Sequence, residues 1–111
     1  MRTEYAPEYL QFSVSVVESD GAAIVSVAGD LDCSTSPQLR TALLDLEAEG
    51  TRHVTLDIGS MQFVDSTGLS VLVGGLKRLR DTGGSLVVRS PNASTRRLFD
   101  ITGLTRIFEI C

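Results

Sequence analysis

Apolar and polar residues follow two different periods along this chain. Apolar residues at every second position are typical of strands, whereas spacings of three and four residues are typical of amphipathic helices. The alternating pattern is found at residues 12–16 and 53–58, and further strands are predicted at residues 22–28, at the short apolar run 86–88 and at residues 106–110. The helical pattern is found at residues 36–49, at residues 66–81, and from Pro91 to Gly103. Residues 1–11 follow neither period, so we predict a loose N-terminal arm before a domain of residues 12–111.

Turn and cap signals agree with these elements. Asp20-Gly21 separates the first two strands and favours a hairpin, which makes that pair antiparallel. Thr35 and Gln38 have the spacing of a capping box, and Gly50 is a typical helix stop. The helices carry their apolar stripes at Leu39, Ala42, Leu43 and Leu46, and at Leu69, Leu72, Val73, Leu76 and Leu79.

The order of elements, β-β-α-β-α-β-α-β, predicts the fold class. Alternating strands and helices favour an α/β domain with a mostly parallel sheet, and the opening hairpin makes that sheet mixed. In such a sheet the loops that follow the carboxyl ends of the strands meet along one edge. We therefore expect any functional site near residues 29–34, 59–66 and 90–92.

Composition narrows the possible partners. The 111 residues have 42% hydrophobic content and a net charge of −4, which fits one domain with a core and argues against nucleic acid or anionic membrane as a partner. No apolar run reaches about 18 residues, no signal peptide is visible, and there are two cysteines, so we expect a cytoplasmic protein. The charge is uneven, because residues 1–65 carry −8 and residues 66–111 carry +4.

Catalytic chemistry has little support in the sequence. The single histidine, His53, begins a strand at the edge opposite the candidate loops, so we interpret it as a surface residue. Metal-ligand spacings and phosphate-loop motifs are absent, and we expect no catalytic residue, no metal site and no cofactor. Asp30 and Asp32 fit a solvated, capping loop, with an acid/base pair or a cation site as the alternative.

The start of the second helix is the remaining chemical feature. Asp65, Ser66 and Thr67 are all favourable N-cap residues, and capping alone explains them. A hydroxyl at this position is also a suitable phosphate acceptor, since the free N–H groups and the helix dipole stabilise added negative charge. The sequence leaves both interpretations open.

The same helix has an unusual outer face. Gly74 and Gly75 lie in its middle, where each glycine costs about 1 kcal/mol relative to alanine. The face opposite the leucine stripe is formed by Ser70, Gly74, Lys77, Arg78 and Asp81. Small residues there favour close approach by a partner, and packing within the domain is the alternative.

Three segments together resemble a known family. They are Gly29-Asp30-Leu31-Asp32, the segment from Phe63 to Leu69 with sequence FVDSTGL, and the segment from Arg97 to Leu104 with sequence RLFDITGL. In this order they resemble the STAS domain, the sulfate transporter and anti-sigma factor antagonist family, over about residues 12–110. The chain looks most like the free-standing bacterial anti-sigma factor antagonists.

This resemblance implies a partner switch. The unphosphorylated antagonist binds an anti-sigma factor that is also a GHKL-type serine kinase, and the sigma factor is released. Phosphorylation of Ser66 separates the complex, and a PP2C-type phosphatase reverses it, so the protein is a phosphoacceptor and not an enzyme. Thr67 is a second candidate hydroxyl. The predicted partner-binding residues are Asp30, Asp32, Asp65, Ser66, Thr67, Gly68, Ser70, Gly74, Lys77 and Arg78.

Other interpretations stay open. STAS domains also act as scaffolds and as accessory subunits of lipid-transport complexes. A nucleotide-binding module is a third possibility, because the loop edge can hold phosphate. Cys33 and Cys111 form a redox disulfide if the last strand brings them to one edge, although cytosolic thiols are usually free.

Overall fold

A five-stranded sheet forms the centre of the computed structural model, which describes residues 11–111. The predicted N-terminal arm therefore lies outside the described residues, except for Gln11. The strands are β1 (Ser13–Ser19), β2 (Ala22–Leu31), β3 (His53–Val64), β4 (Ser85–Arg89) and β5 (Glu109–Ile110). The helices are α1 (Ser36–Ala48), α2 (Ser66–Asp81) and α3 (Ala93–Thr102), followed by a 3-10 turn at Leu104–Arg106.

The strands lie side by side in chain order. The β1–β2 pair is antiparallel and the other pairs are parallel. This arrangement confirms the predicted α/β class with a mixed, mostly parallel sheet. Each parallel connection passes through a helix, as right-handed crossovers require.

One face of the sheet forms the core together with the helices. Alternate residues of β2 are buried, among them Val25 and Val27, whereas Ile24 on the opposite face is exposed. The stripes of α1 and α2 bury Leu39, Leu43, Leu46, Leu72, Leu76 and Leu79, as predicted, while Leu69 and Val73 are only half-buried. Phe99 of α3 stacks on Phe108 with ring centroids 5.7 Å apart and closes the far end of the core.

Strand β3 is twice as long as predicted, because two bulges interrupt its alternation. The register passes from Ser26↔Asp57 to Ala28↔Ser60, and then from Gly29↔Met61 to Asp30↔Phe63. Each step inserts one extra residue into β3, so the buried positions no longer recur at every second residue. Residues 29–31 and 59–64, predicted as loops, are therefore parts of strands.

Two smaller predictions were wrong. The last strand covers two residues instead of 106–110, since Leu104–Arg106 form a 3-10 turn. The Thr35 hydroxyl does not cap α1, because it donates a hydrogen bond backwards to the Asp30 carbonyl oxygen at 2.7 Å.

The two buried glycines of α2 allow close packing within the domain. A Cβ on Gly68 would lie 2.8 Å from Val64 Cγ2 and 2.9 Å from the Leu31 carbonyl oxygen. A Cβ on Gly75 would lie 3.1 Å from Leu43 Cδ1 of α1. For Gly75, packing within the domain is therefore the correct interpretation, and Gly68 packs in the same way, whereas Gly74 is half-buried and meets only the Arg78 side chain.

We expect Gly68→Ala to destabilise the fold by about 1–3 kcal/mol, because its methyl group meets strand backbone that cannot move aside. Gly74→Ala on the same helix is the comparison, and it should cost less than Gly68→Ala, because its methyl group meets only the end of the Arg78 side chain and gains up to about 1 kcal/mol of helix propensity. Urea unfolding of both variants measures the difference. Equal stabilities for the two variants would contradict the proposed packing of α2 on β2 and β3.

Candidate functional site

The carboxyl ends of β2 and β3 bring the predicted site residues together. Leu31 pairs with Val64 at the end of the ladder, and the Asp65 N–H donates to the Leu31 carbonyl oxygen at 3.1 Å. The acidic segment after β2 therefore lies beside the start of α2. The third predicted loop joins them, since Asn92 Nδ2 donates to the Met61 carbonyl oxygen at 3.0 Å.

Asp65 is the N-cap of α2. Its backbone is extended, and its carboxylate accepts a hydrogen bond from the Gly68 N–H at 2.9 Å. The capping interpretation is therefore correct for Asp65. The side chains of Ser66 and Thr67 do not cap the helix. Ser66 and Thr67 are the first helical residues, and both are exposed.

Ser66 lies at the N-terminus of α2, where the helix would stabilise the negative charge of a phosphate. The first N–H groups of a helix have no intrahelical partner, and the dipole places partial positive charge at this end. The Ser66 carbonyl oxygen already accepts from the Ser70 hydroxyl at 3.0 Å, which links the site to the next turn of α2. The exposed side chain is accessible to an enzyme without unfolding of the domain.

Asp32 builds the turn between β2 and α1. Its Oδ1 accepts from the Ser34 hydroxyl at 2.8 Å, the Ser34 N–H at 3.0 Å and the Thr35 N–H at 3.1 Å. The Ser34 hydroxyl, followed by the two backbone N–H groups, lowers the pKa of the Asp32 carboxyl below its ordinary value of 3.8. Asp32 is thus a structural turn residue, and Asp30 beside it is exposed. Within residues 11–111, no group of acidic, histidine or cysteine side chains is arranged to hold a metal ion.

The outer face of α2 opens onto a groove of about 360 Å³. Ser70, Gly74 and Lys77 line one side, and Thr102 and Leu104 line the other. Leu69 and Val73, the half-buried members of the predicted stripe, also line it. Three of the predicted partner-binding residues therefore share one concave surface that begins one turn after Ser66.

Arg78 points away from that surface and joins α2 to α1. Its Nε lies 2.7 Å from Glu47 Oε1, and both side chains are partly buried. A Cβ on Gly74 would lie 3.2 Å from Arg78 Nη1, so the glycine leaves room for the guanidinium. The ion pair gives Arg78 a role within the domain, and its role in partner binding stays a prediction.

A second groove, which the sequence analysis missed, adjoins the site. It has a volume of about 230 Å³ and lies between the end of β3 and α3, with Phe63, Leu98, Ile101 and Arg97 in its lining. Phe63 is 52% exposed and Ile101 is 76% exposed. The missed signal was the apolar Phe63 in a segment predicted as a loop, since its outward direction depends on the bulges in β3.

The remaining candidates are His53 and the two cysteines. His53 Nδ1 is 2.9 Å from the Ser85 hydroxyl at the opposite edge, which agrees with a surface role. Cys33 and Cys111 are free and exposed. Cys33 follows β2 and Cys111 follows β5, and three interstrand spacings of about 4.8 Å separate these strands, whereas a disulfide needs Cα atoms within about 7 Å. The structure therefore does not bring the two thiols together.

Comparisons with known proteins agree on one family. A family model for the STAS domain matches residues 13–111. The chain is similar to the anti-sigma-B factor antagonist of Bacillus subtilis (strain 168), with 35% identity over 101 residues that cover 91% of this chain and 92% of that protein.

Solved structures show the same fold. A crystal structure of an anti-sigma factor antagonist from Mycobacterium paratuberculosis matches with a TM-score of 0.81 and 28% identity, and the match covers 95% of this chain and 87% of that one. The phosphorylated form of the Bacillus cell fate determinant SpoIIAA matches in fold with a TM-score of 0.72 and 19% identity over 91% of each chain. No helix among residues 11–111 has the length and apolarity needed to cross a membrane.

We expect Asp32→Ala to lower the urea midpoint at pH 7, because the variant loses the acceptor of three hydrogen bonds in the β2–α1 turn. The folded pKa of Asp32 is depressed, so its charge stabilises the fold above the ordinary pKa of 3.8 and loses that effect as the pH falls below it. The difference between wild type and Asp32→Ala should therefore shrink in acid. Asp30→Ala is the control, and an effect as large as that of Asp32→Ala would contradict the turn role.

Proposed function

The chain belongs to the STAS domain family, and we propose that it is an anti-sigma factor antagonist whose binding is switched off by phosphorylation of Ser66. The observation that carries the proposal is the exposed Ser66 hydroxyl at the first residue of α2, next to the Asp65 cap. The similarity to a relative named as an anti-sigma-B factor antagonist, over 91% of this chain, supports the same role.

In the proposed cycle the unphosphorylated protein binds an anti-sigma factor that is also a GHKL-type serine kinase, and the sigma factor is released. The kinase then transfers the γ-phosphoryl group of ATP to Ser66. A bond forms between the Ser66 oxygen and phosphorus, the bond to the β-phosphate oxygen breaks, and the hydroxyl proton leaves. A PP2C-type phosphatase hydrolyses the phosphoserine and restores binding. The protein is therefore a substrate and a ligand in this cycle, not an enzyme, and it acts in the cytoplasm.

The position of Ser66 explains how one phosphate can be stable and still weaken binding. The helix N-terminus stabilises the negative charge within the domain. The same charge, about −1.5 to −2, enters an edge that already carries Asp30, Asp32 and Asp65. A partner surface that fits the neutral hydroxyl then meets an added phosphate and a stronger negative field.

We expect Ser66→Ala to retain the anti-sigma factor and to take up no phosphate from the kinase and ATP. Ser66→Glu should raise the Kd for the anti-sigma factor about tenfold or more, because a permanent charge replaces the hydroxyl. Titration of the purified partners, with mass-spectrometric mapping of the phosphate, measures both effects. Candidate anti-sigma factors come from the organism that encodes the chain.

Thr67→Ala is the matched control, since it removes the neighbouring hydroxyl and leaves Ser66 in place. It should be phosphorylated and released as wild type is. Normal labelling of Ser66→Ala would show that Ser66 is not the acceptor. A large and permanent assembly, in place of a reversible complex, would instead favour the scaffold role.

A further inference from the structure

We propose that the groove between β3 and α3 is an anchoring site for the anti-sigma factor. An apolar side chain of that partner enters between Phe63, Leu98 and Ile101, and a carboxylate of the same partner pairs with Arg97. This inference rests on the proposed function and names the chemistry of the partner at that site.

The first support is the exposure of large apolar side chains. Among residues 11–111 the exposed large hydrophobic residues are Val16, Val17, Ile24, Phe63 and Ile101. The last two share one concave surface beside the phosphoacceptor, at exposures of 52% and 76%. Clustered apolar exposure in a concavity is unfavourable in the free protein and is relieved when a partner covers it.

The sequence of α3 gives the second support. The helix buries Thr95 and Phe99 against the core. The side of α3 that lines the groove carries Ser94 and, three, four and seven residues further on, Arg97, Leu98 and Ile101, and Thr95 reaches the groove as well. Ser94, Arg97 and Ile101 on this side are exposed, whereas Leu98 also packs against the core. The spacing of these four residues is the one by which a helix presents anchors to another chain.

Continuity with Ser66 is the third support. Val64 lines the groove, and the chain then passes through Asp65 to the phosphoacceptor. A kinase that reaches the Ser66 hydroxyl therefore approaches within a few residues of Phe63. The groove along α2, with Leu69 and Val73, begins on the next turn of the helix.

The charges of the two grooves identify the complementary partner surface. Arg97 is the one charged residue that lines the β3–α3 groove, and Lys77 is the one that lines the α2 groove, within residues 11–111. Each apolar concavity thus carries one cation, which fits a partner with apolar anchors and carboxylates. A phosphate on Ser66 would repel those carboxylates, so the same partner chemistry agrees with release on phosphorylation.

The test uses the full-length protein and the anti-sigma factor that wild type binds. Phe63→Ala and Ile101→Ala should each raise the Kd about tenfold or more, as expected for truncated anchors. The control is Val17→Ala on β1, which removes an apolar side chain of intermediate exposure, 68%, outside the β3–α3 groove and should change the Kd less than about twofold. Melting temperatures should match wild type, because all three side chains are exposed.

Charge variants test the carboxylate. Arg97→Glu should raise the Kd more than tenfold and flatten its dependence on salt, whereas Arg40→Glu on the exposed face of α1 should not. Phosphorylation of Phe63→Ala should show a raised KM with kcat unchanged, which a change in Ser66 itself would not produce.

The outcomes separate the two proposals. If the wild-type protein neither binds an anti-sigma factor nor is phosphorylated, the proposed function is rejected. Wild-type binding with an unchanged Kd for Phe63→Ala and Ile101→Ala would reject the anchoring groove alone. Tighter binding by Arg97→Glu would show that the partner is basic at this position and would also reject it.

Discussion

The parallel pairing of β2 with β3 is the constraint on which the site depends. The ladder ends at Leu31↔Val64, and its last carbonyl oxygen, that of Leu31, accepts the Asp65 N–H. The same oxygen would lie 2.9 Å from any Cβ on Gly68, so α2 begins directly on the end of β2. Because the helix starts at this point, Ser66 stands at the sheet edge beside the acidic turn. A residue without a side chain at position 68 is therefore a condition for the position of the phosphoacceptor.

The charges divide into those that build the domain and those that remain at its surface. The carboxylates of Asp32 and Asp65 accept hydrogen bonds from N–H groups of the helix starts and turns. Ion pairs join Arg78 to Glu47 and Arg89 to Asp57, at 2.7 and 2.9 Å. The uneven net charge of the sequence is thus partly neutralised across the fold. Arg97 and Lys77, the cations that line the two grooves beside Ser66, are among the charges that remain at the surface.

Much of the fold was predictable, because its helices and its hairpin carry strong local signals. The stripes of α1 and α2 and the Asp20-Gly21 turn are read from consecutive residues, and the order of elements then specifies a parallel sheet. The end of β3 was not predictable in this way. Each bulge places one extra residue opposite β2, and whether Met61 or Gln62 faces the core depends on that cross-strand register. The exposure of Phe63 was not predictable for the same reason, since it follows from the second bulge.

Periods and residue types within single segments specify the class of the domain, the Asp65 cap and the serine at the start of α2. Contacts between segments that are far apart along the chain depend on the tertiary structure. It assigned Arg78 to Glu47 across two helices, placed Cys33 and Cys111 three strand positions apart, and used Gly68 and Gly75 for close packing. It also brought Phe63 of β3 and Ile101 of α3 into one groove. Such contacts join residues far apart along the chain, so no local pattern records them, and only the packed sheet and helices specify which of them form.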